Sequence, residues 1–204
     1  NGITFPEYLC GGPEESSVAI CHGGRTEFVY PPCEQSSIEF ALERLGADSL
    51  EDCHVQLSCS RFGKPLSEVM DRILNDEGLE AFNEVCHAAA KIPDRDQDKF
   101  TAAVLYANAN TSCEVCRIAE SLELFEYAPG VRDTNNLGAW WLENKLDCSL
   151  PYEIDEFFDY AGYGESIAEN NDGEFVEGLG FVCMEEGYTL EDVLQDTDQG
   201  MGVI

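Results

Sequence analysis

From Leu146 to Ile204 the chain carries sixteen carboxylates and neither Lys nor Arg, yet apolar residues run through the whole of the same stretch. Leu150, Ile154, Phe157, Phe158, Tyr160, Tyr163, Ile167, Phe175, Val176, Phe181 and Val182 are threaded between acids that begin at Asp147 and end at Asp198. An acidic low-complexity tail has too little to bury and stays unfolded, whereas this segment has enough apolar side chains to fold. It is therefore expected to fold with its charge turned outward, as a uniformly negative surface.

The rest of the chain does not offset that charge. Forty-one acidic residues face eleven basic ones, a formal net charge of −30, which exceeds what solubility asks for and destabilises any compact state by self-repulsion. Such a balance excludes nucleic acid and anionic membrane as direct partners, because counterion release needs clustered Lys and Arg. A basic protein surface is the natural complement. No apolar run reaches the length of a membrane span, and residues 1–10 have no basic segment followed by an apolar one. The expected location is the cytoplasm. Ten cysteines could signal a disulfide framework, but their density is about half that of a disulfide scaffold. Several occupy apolar helix positions, so buried free thiols are expected.

Periodicity divides the chain. Ser17 to Cys21 and Thr26 to Tyr30 alternate as strands around a His22-Gly23-Gly24-Arg25 turn, and Pro31-Pro32 ends the second. Ser36 or Ser37 can cap a helix carrying Ile38, Ala41, Leu42 and Leu45 that stops at Gly46, and Cys53 to Cys59 alternates as a third strand. Helical spacing then takes over at Leu66, Val69, Met70, Ile73 and Leu74, again from Leu79 to Ala89, and from Asp96 to Ala107. Thr111 and Glu114 have capping-box spacing for one more helix. Beyond Glu123 the pattern mixes: a strand at Leu124 to Tyr127, a helix from Asp133 or Thr134 through Trp141, a short helix opened by Pro151 carrying Phe157, Phe158 and Tyr160, and a hairpin turning at residues 177–180. Residues 188–204 are weakly helical at best and expected to fray. The fold class is α+β: an N-terminal α+β domain over 1–62, a helical bundle over 63–122, an acidic α+β domain over 123–185 and an acidic tail over 186–204. Trp140, Trp141, Phe157 and Tyr160 are expected in the core by their helical spacing, the alternative being a dimer seam in the C-terminal domain.

Motifs for chemistry are weak. Cys113-Glu114-Val115-Cys116 has no second pair at zinc-site spacing, and a complete site needs four ligands. Asp133 to Asn136 and Asn170 to Gly173 contain oxygen ligands but lack the alternation and terminal Glu of a calcium loop, so turn chemistry explains them more simply. Paired carboxylates could act as acid and base, but nothing selects a pair among so many. No cofactor, metal or catalytic residue is expected, and a metal-binding or hydrolytic enzyme is the distant alternative.

Three runs carry a family resemblance. Ala119 to Val131 (AESLELFEYAPGV), Leu137 to Glu143 (LGAWWLE) and the split run Leu150 to Ile154 (LPYEI) with Phe158 to Gly164 (FDYAGYG) resemble, in order and spacing, the C-terminal half of ArdA-type antirestriction proteins, and the similarity extends over about residues 111–183. The resemblance implies an elongated protein of three small domains, usually a homodimer, whose carboxylates stand in for DNA phosphates. It further implies a non-enzymatic decoy that occupies the DNA-binding groove of type I restriction-modification enzymes, at their specificity and modification core. The charge agrees in scale, since duplex DNA carries one charge per about 1.7 Å and roughly thirty charges match about 50 Å of duplex. The candidate contact residues are Glu120, Glu123, Glu126, Glu143, Glu153, Asp155, Glu156, Asp159, Glu165, Glu169, Asp172, Glu174 and Glu177. The competing assignment is an acidic mimic or adaptor directed at another basic DNA-binding protein, such as a nucleoid protein, a repressor or a CRISPR effector.

Overall fold

The computed structural model describes residues 16–195. Within them nine α-helices and two three-stranded antiparallel sheets give a mixed α+β fold. The chain forms two compact units: residues up to Pro93 with Ala109–Cys116, and Asp94–Asn108 with the chain from Arg117 onward.

In the first unit, β1 (Ser17–His22) pairs antiparallel with β2 (Arg25–Val29) and, on its other edge, with β3 (His54–Cys59). Gly23 and Gly24 both take positive φ, the requirement of the two-residue turn that matches strand twist, as the sequence predicts. β1 is central, and its Val18, Ala19 and Ile20 are fully buried. Helix α1 (Gln35–Leu45) turns Ile38, Ala41 and Leu45 inward and ends at a left-handed Gly46. Its start differs from expectation: Glu34, not Ser36 or Ser37, is the N-cap, without a side-chain capping bond. Helices α2 (Lys64–Asp76) and α3 (Leu79–Ala89) pack together, and α2 also packs on β3. Asn83 on α3 pins the segment before α1 by accepting from the Cys33 N–H at 2.9 Å and donating to its carbonyl at 2.8 Å.

The second sheet has the order β4-β6-β5, formed by β4 (Phe125–Pro129), β5 (Glu174–Val176) and β6 (Gly180–Met184). The central strand is buried along its length. Helix α4 (Gln97–Tyr106) packs on all three strands, and Tyr106 meets Phe125 edge-on. Of the helices read as a middle bundle, α2 and α3 thus belong with the first sheet and α4 with the second. At the start of α5 (Ser112–Glu120), Thr111 and Glu114 close the reciprocal capping bonds that their spacing predicts.

Three further helices carry the acidic segment. In α6 (Thr134–Asn144) the Asp133 carboxylate accepts from the Asn136 N–H at 2.8 Å. The short α7 (Tyr152–Asp155) follows Pro151, and α8 (Tyr160–Asn170) is capped by Asp159, which accepts from the Gly162 N–H at 2.9 Å. The single helix expected to hold Phe157, Phe158 and Tyr160 is therefore two, because Asp159 satisfies the first N–H groups of a new one. Helices α6 and α8 pack most intimately of all, through Gly138 and Gly164. Ala128, Val131, Leu137, Ile167, Phe181 and Cys183 form the core between these helices and the sheet, with Trp140, Trp141 and Tyr163 against it. Where fraying was expected, Thr189 and Asp192 form a complete capping box and start α9 (Leu190–Leu194). Asp196, Asp198 and the remainder of the expected tail lie outside the described residues.

Candidate functional site

Folding exposes the acids in the second unit. Glu120 ends α5, Glu123 sits in the turn after it, and Glu143 lies on the last turn of α6. Glu153 and Asp155 belong to α7, Glu156 is its C-cap, and Asp159 caps α8. Glu165 and Glu169 stand four apart on one face of α8, Asp172 lies in the following turn, Glu174 opens β5 and Glu177 follows it. All twelve are exposed. Carriage on helices, strands and short turns fixes the backbone from which each carboxylate projects before any partner arrives, so less ordering entropy is lost on binding than by a floppy tail.

Glu126 behaves differently. It points from β4, opposite Cys183 of β6, and its side chain keeps only 18% of its surface. Lys145, 30% exposed, forms an ion pair with it. Burial pushes the Glu126 carboxyl upward, but hydrogen bonding from Glu185 and the Lys145 ammonium outweigh it and hold the group below the ordinary value. Glu185 is the converse: its hydrogen bond to Glu126, then burial, raise its pKa. Two carboxyls thus stand side by side, with the Lys145 ammonium paired to one of them. Glu126 is thus spent within the fold more than any other candidate, and its partner Glu185 carries no local signal that would single it out.

The expected core position of Phe157 is overturned. Phe157 is 82% exposed, Tyr152 81% and Ile154 52%, all within or beside α7. One turn of helix leaves only the narrow Ile154–Phe157 strip apolar, and Glu153, Asp155 and Glu156 stand beside it, so covering that strip would draw carboxylates out of water with it. That interleaving was visible in the sequence. Trp140, Trp141 and Tyr160 are half-buried, and Tyr160 stacks edge-on with Phe158 at 4.9 Å while its hydroxyl donates to Asp155.

The motifs weighed for metal chemistry have local structural partners. Asp133 accepts from both the backbone and the side chain of Asn136, and the Asn171 amide donates to the Ile167 carbonyl at 2.7 Å, which is turn and helix-end chemistry. Among the described residues no three His, Cys, Asp or Glu side chains converge on a metal position. No disulfide joins any two of the nine described cysteines. Burial pushes Cys86 and Cys183 up to about 12, while Cys113 and Cys148 are exposed, so the expectation of buried thiols holds for only part of the set. No described helix is long and apolar enough to cross a membrane. No protein-family model matches the chain, and no curated protein matches it.

Proposed function

We propose that this protein is an antirestriction decoy, an acidic body that enters the DNA-binding groove of a type I restriction-modification enzyme and blocks it by competition. The observation that supports this most directly is the set of twelve exposed carboxylates on ordered elements of the second unit. A groove built to neutralise phosphates with Lys and Arg accepts carboxylates by the same Coulomb attraction and the same charge-assisted hydrogen bonds. No bond is made or broken, and the inhibitor is released unchanged. Glu120, Glu123, Glu143, Glu153, Asp155, Glu156, Asp159, Glu165, Glu169, Asp172, Glu174 and Glu177 are the proposed contacts, with Glu126 a lesser one because Lys145 already neutralises it.

The test is inhibition of DNA cleavage by a purified type I enzyme, together with direct binding to its methyltransferase core at low and high salt. Competitive inhibition that DNA relieves, and affinity that falls steeply with salt, are expected. Undiminished cleavage at a large excess of the protein, with no binding at low salt, would rule the assignment out. Binding instead to a nucleoid protein, repressor or CRISPR effector would keep the mimicry and change the target.

A further inference from the structure

A phosphate mimic needs charge and position, and it has no use for aromatic rings in water. Yet Tyr152 and Phe157 are the two most exposed large apolar side chains among the described residues, and Ile154 lies between them. Their exposure is built in. Pro151 starts α7 with the Ile154 and Asp155 N–H groups donating to its carbonyl at 2.8 and 2.9 Å, and the Phe157 N–H donates to the Ile154 carbonyl at 3.0 Å. Ile154 and Phe157 are thus three residues apart on a continued helical turn, which sets them on the same side. Behind them, Phe158 packs edge-on with Tyr160 and with Tyr163, at 4.9 and 5.8 Å, and Tyr163 packs on the core. The inner aromatics hold the segment while the outer ones face solvent.

We propose that Tyr152, Ile154 and Phe157 are the apolar anchors of a protein-binding surface whose partner presents an apolar recess bordered by Lys and Arg. Charge complementarity decides the occupant. The apolar group is interleaved with Glu153, Asp155, Glu156 and Asp159, all exposed, and no Lys or Arg follows Lys145 in the sequence, which is itself paired with Glu126. A second copy seated there would set these acids against their own kind, an arrangement that disfavours association. A nucleic acid would meet the same repulsion. A cationic protein surface gains from both parts: its basic rim meets the carboxylates, and its recess takes up the rings as a central desolvated contact of the sort that dominates interface energetics. This rests on the decoy assignment and deepens it, since it makes the target's protein surface, and not only its phosphate-binding charge, part of what is recognised.

The two contributions separate by salt. Apolar burial is nearly indifferent to moderate ionic strength, whereas the ion pairs are screened. The experiment measures the dissociation constant for a purified type I methyltransferase core at two salt concentrations, using the wild-type chain, a Tyr152→Ser/Phe157→Ser variant and a Glu153→Gln/Asp155→Asn/Glu156→Gln variant. Sedimentation mass and unfolding midpoint are recorded for each. The aromatic variant is expected to fold normally and lose on the order of 100-fold in affinity at both salt concentrations, with the salt dependence unchanged. The amide variant is expected to bind more weakly at low salt and to show a shallower salt dependence. Wild-type affinity in the aromatic variant overturns the anchor proposal and leaves the decoy assignment standing. A wild-type mass of two chains that falls to one in the aromatic variant also overturns it, because the rings would then belong to a homodimer seam. Failure of the wild-type chain to bind the core at low salt overturns both.

Discussion

Gly164 of α8 lies directly against Gly138 of α6: a Cβ on Gly164 would stand 2.8 Å from the Gly138 nitrogen, and one on Gly138 would stand 3.2 Å from the Gly164 nitrogen. Each would also overlap a backbone carbonyl, that of Thr134 in one case and of Tyr160 in the other. The obstructing atoms belong to two helices and cannot rotate away. Gly164→Ala should therefore push α6 and α8 apart and cost roughly 3 kcal/mol, the upper part of the range for overpacking. Gly162 gives the contrast within the same helix. Its added Cβ would meet only the Asp159 side chain, at 2.5 Å, which can swing aside. Losing that cap costs about 1 kcal/mol, and replacing Gly by Ala in a helix returns about the same. Chemical denaturation should show Gly162→Ala near wild type and Gly164→Ala far below it; similar midpoints would mean that the two helices do not pack backbone to backbone.

The carboxyl pair sets a pH dependence whose direction is fixed by its two members. Glu185 has its pKa raised in the fold by the hydrogen bond to Glu126, then by burial, so its contribution to stability is full below the ordinary carboxylate value and disappears as pH rises through the raised one. Glu126, held low by Glu185 and Lys145 against the effect of burial, contributes above the ordinary value and loses its contribution as pH falls through the depressed one. Once the pH passes the raised value, Glu185 loses its proton and faces Glu126 as a like charge. Glu185→Gln removes that charge while its amide N–H still donates to Glu126. Thermal unfolding should show the variant gaining most over wild type above the raised Glu185 value, with the gain shrinking as the pH falls through it and Glu185 takes up its proton. A gain that grew on acidification would contradict the pairing of Glu185 with Glu126.

Why some of this was legible in the sequence and some was not follows from how local each cause is. The Gly23-Gly24 turn, the Gly46 stop, the Thr111/Glu114 box and the Asp133 cap depend on residues within four positions of one another, and each forms where the spacing placed it. The division of α8 from α7 turns on whether the Asp159 carboxylate caps the Gly162 N–H or stays in water, a choice that helical spacing does not decide. The order β4-β6-β5 and the seating of α4 on that sheet are long-range choices with no local signature. In the candidate site, exposure of Glu153, Asp155 and Glu156 was expected from their density, whereas the pairing of Glu126 with Lys145 and Glu185 joins residues far apart in the chain and needed the β4–β6 register to be seen.

Two phenylalanines of the acidic segment should respond to truncation in opposite ways. Phe181 is fully buried on β6, its ring 5.1 Å from that of Phe175 and tight against Gly173, where an added Cβ would overlap it. Removing such a ring leaves a cavity beneath helices that cannot collapse into it, and Phe181→Ala should cost about 3–5 kcal/mol. Phe157 is 82% exposed, so Phe157→Ser removes almost no buried area and should change stability by no more than about 0.5 kcal/mol. The measurement is the urea midpoint of each single variant at one pH and salt concentration. A large loss for Phe157→Ser would show that the ring is covered in solution and would place it in the core, where helical spacing alone had put it; a small one leaves its exposure to be explained by binding.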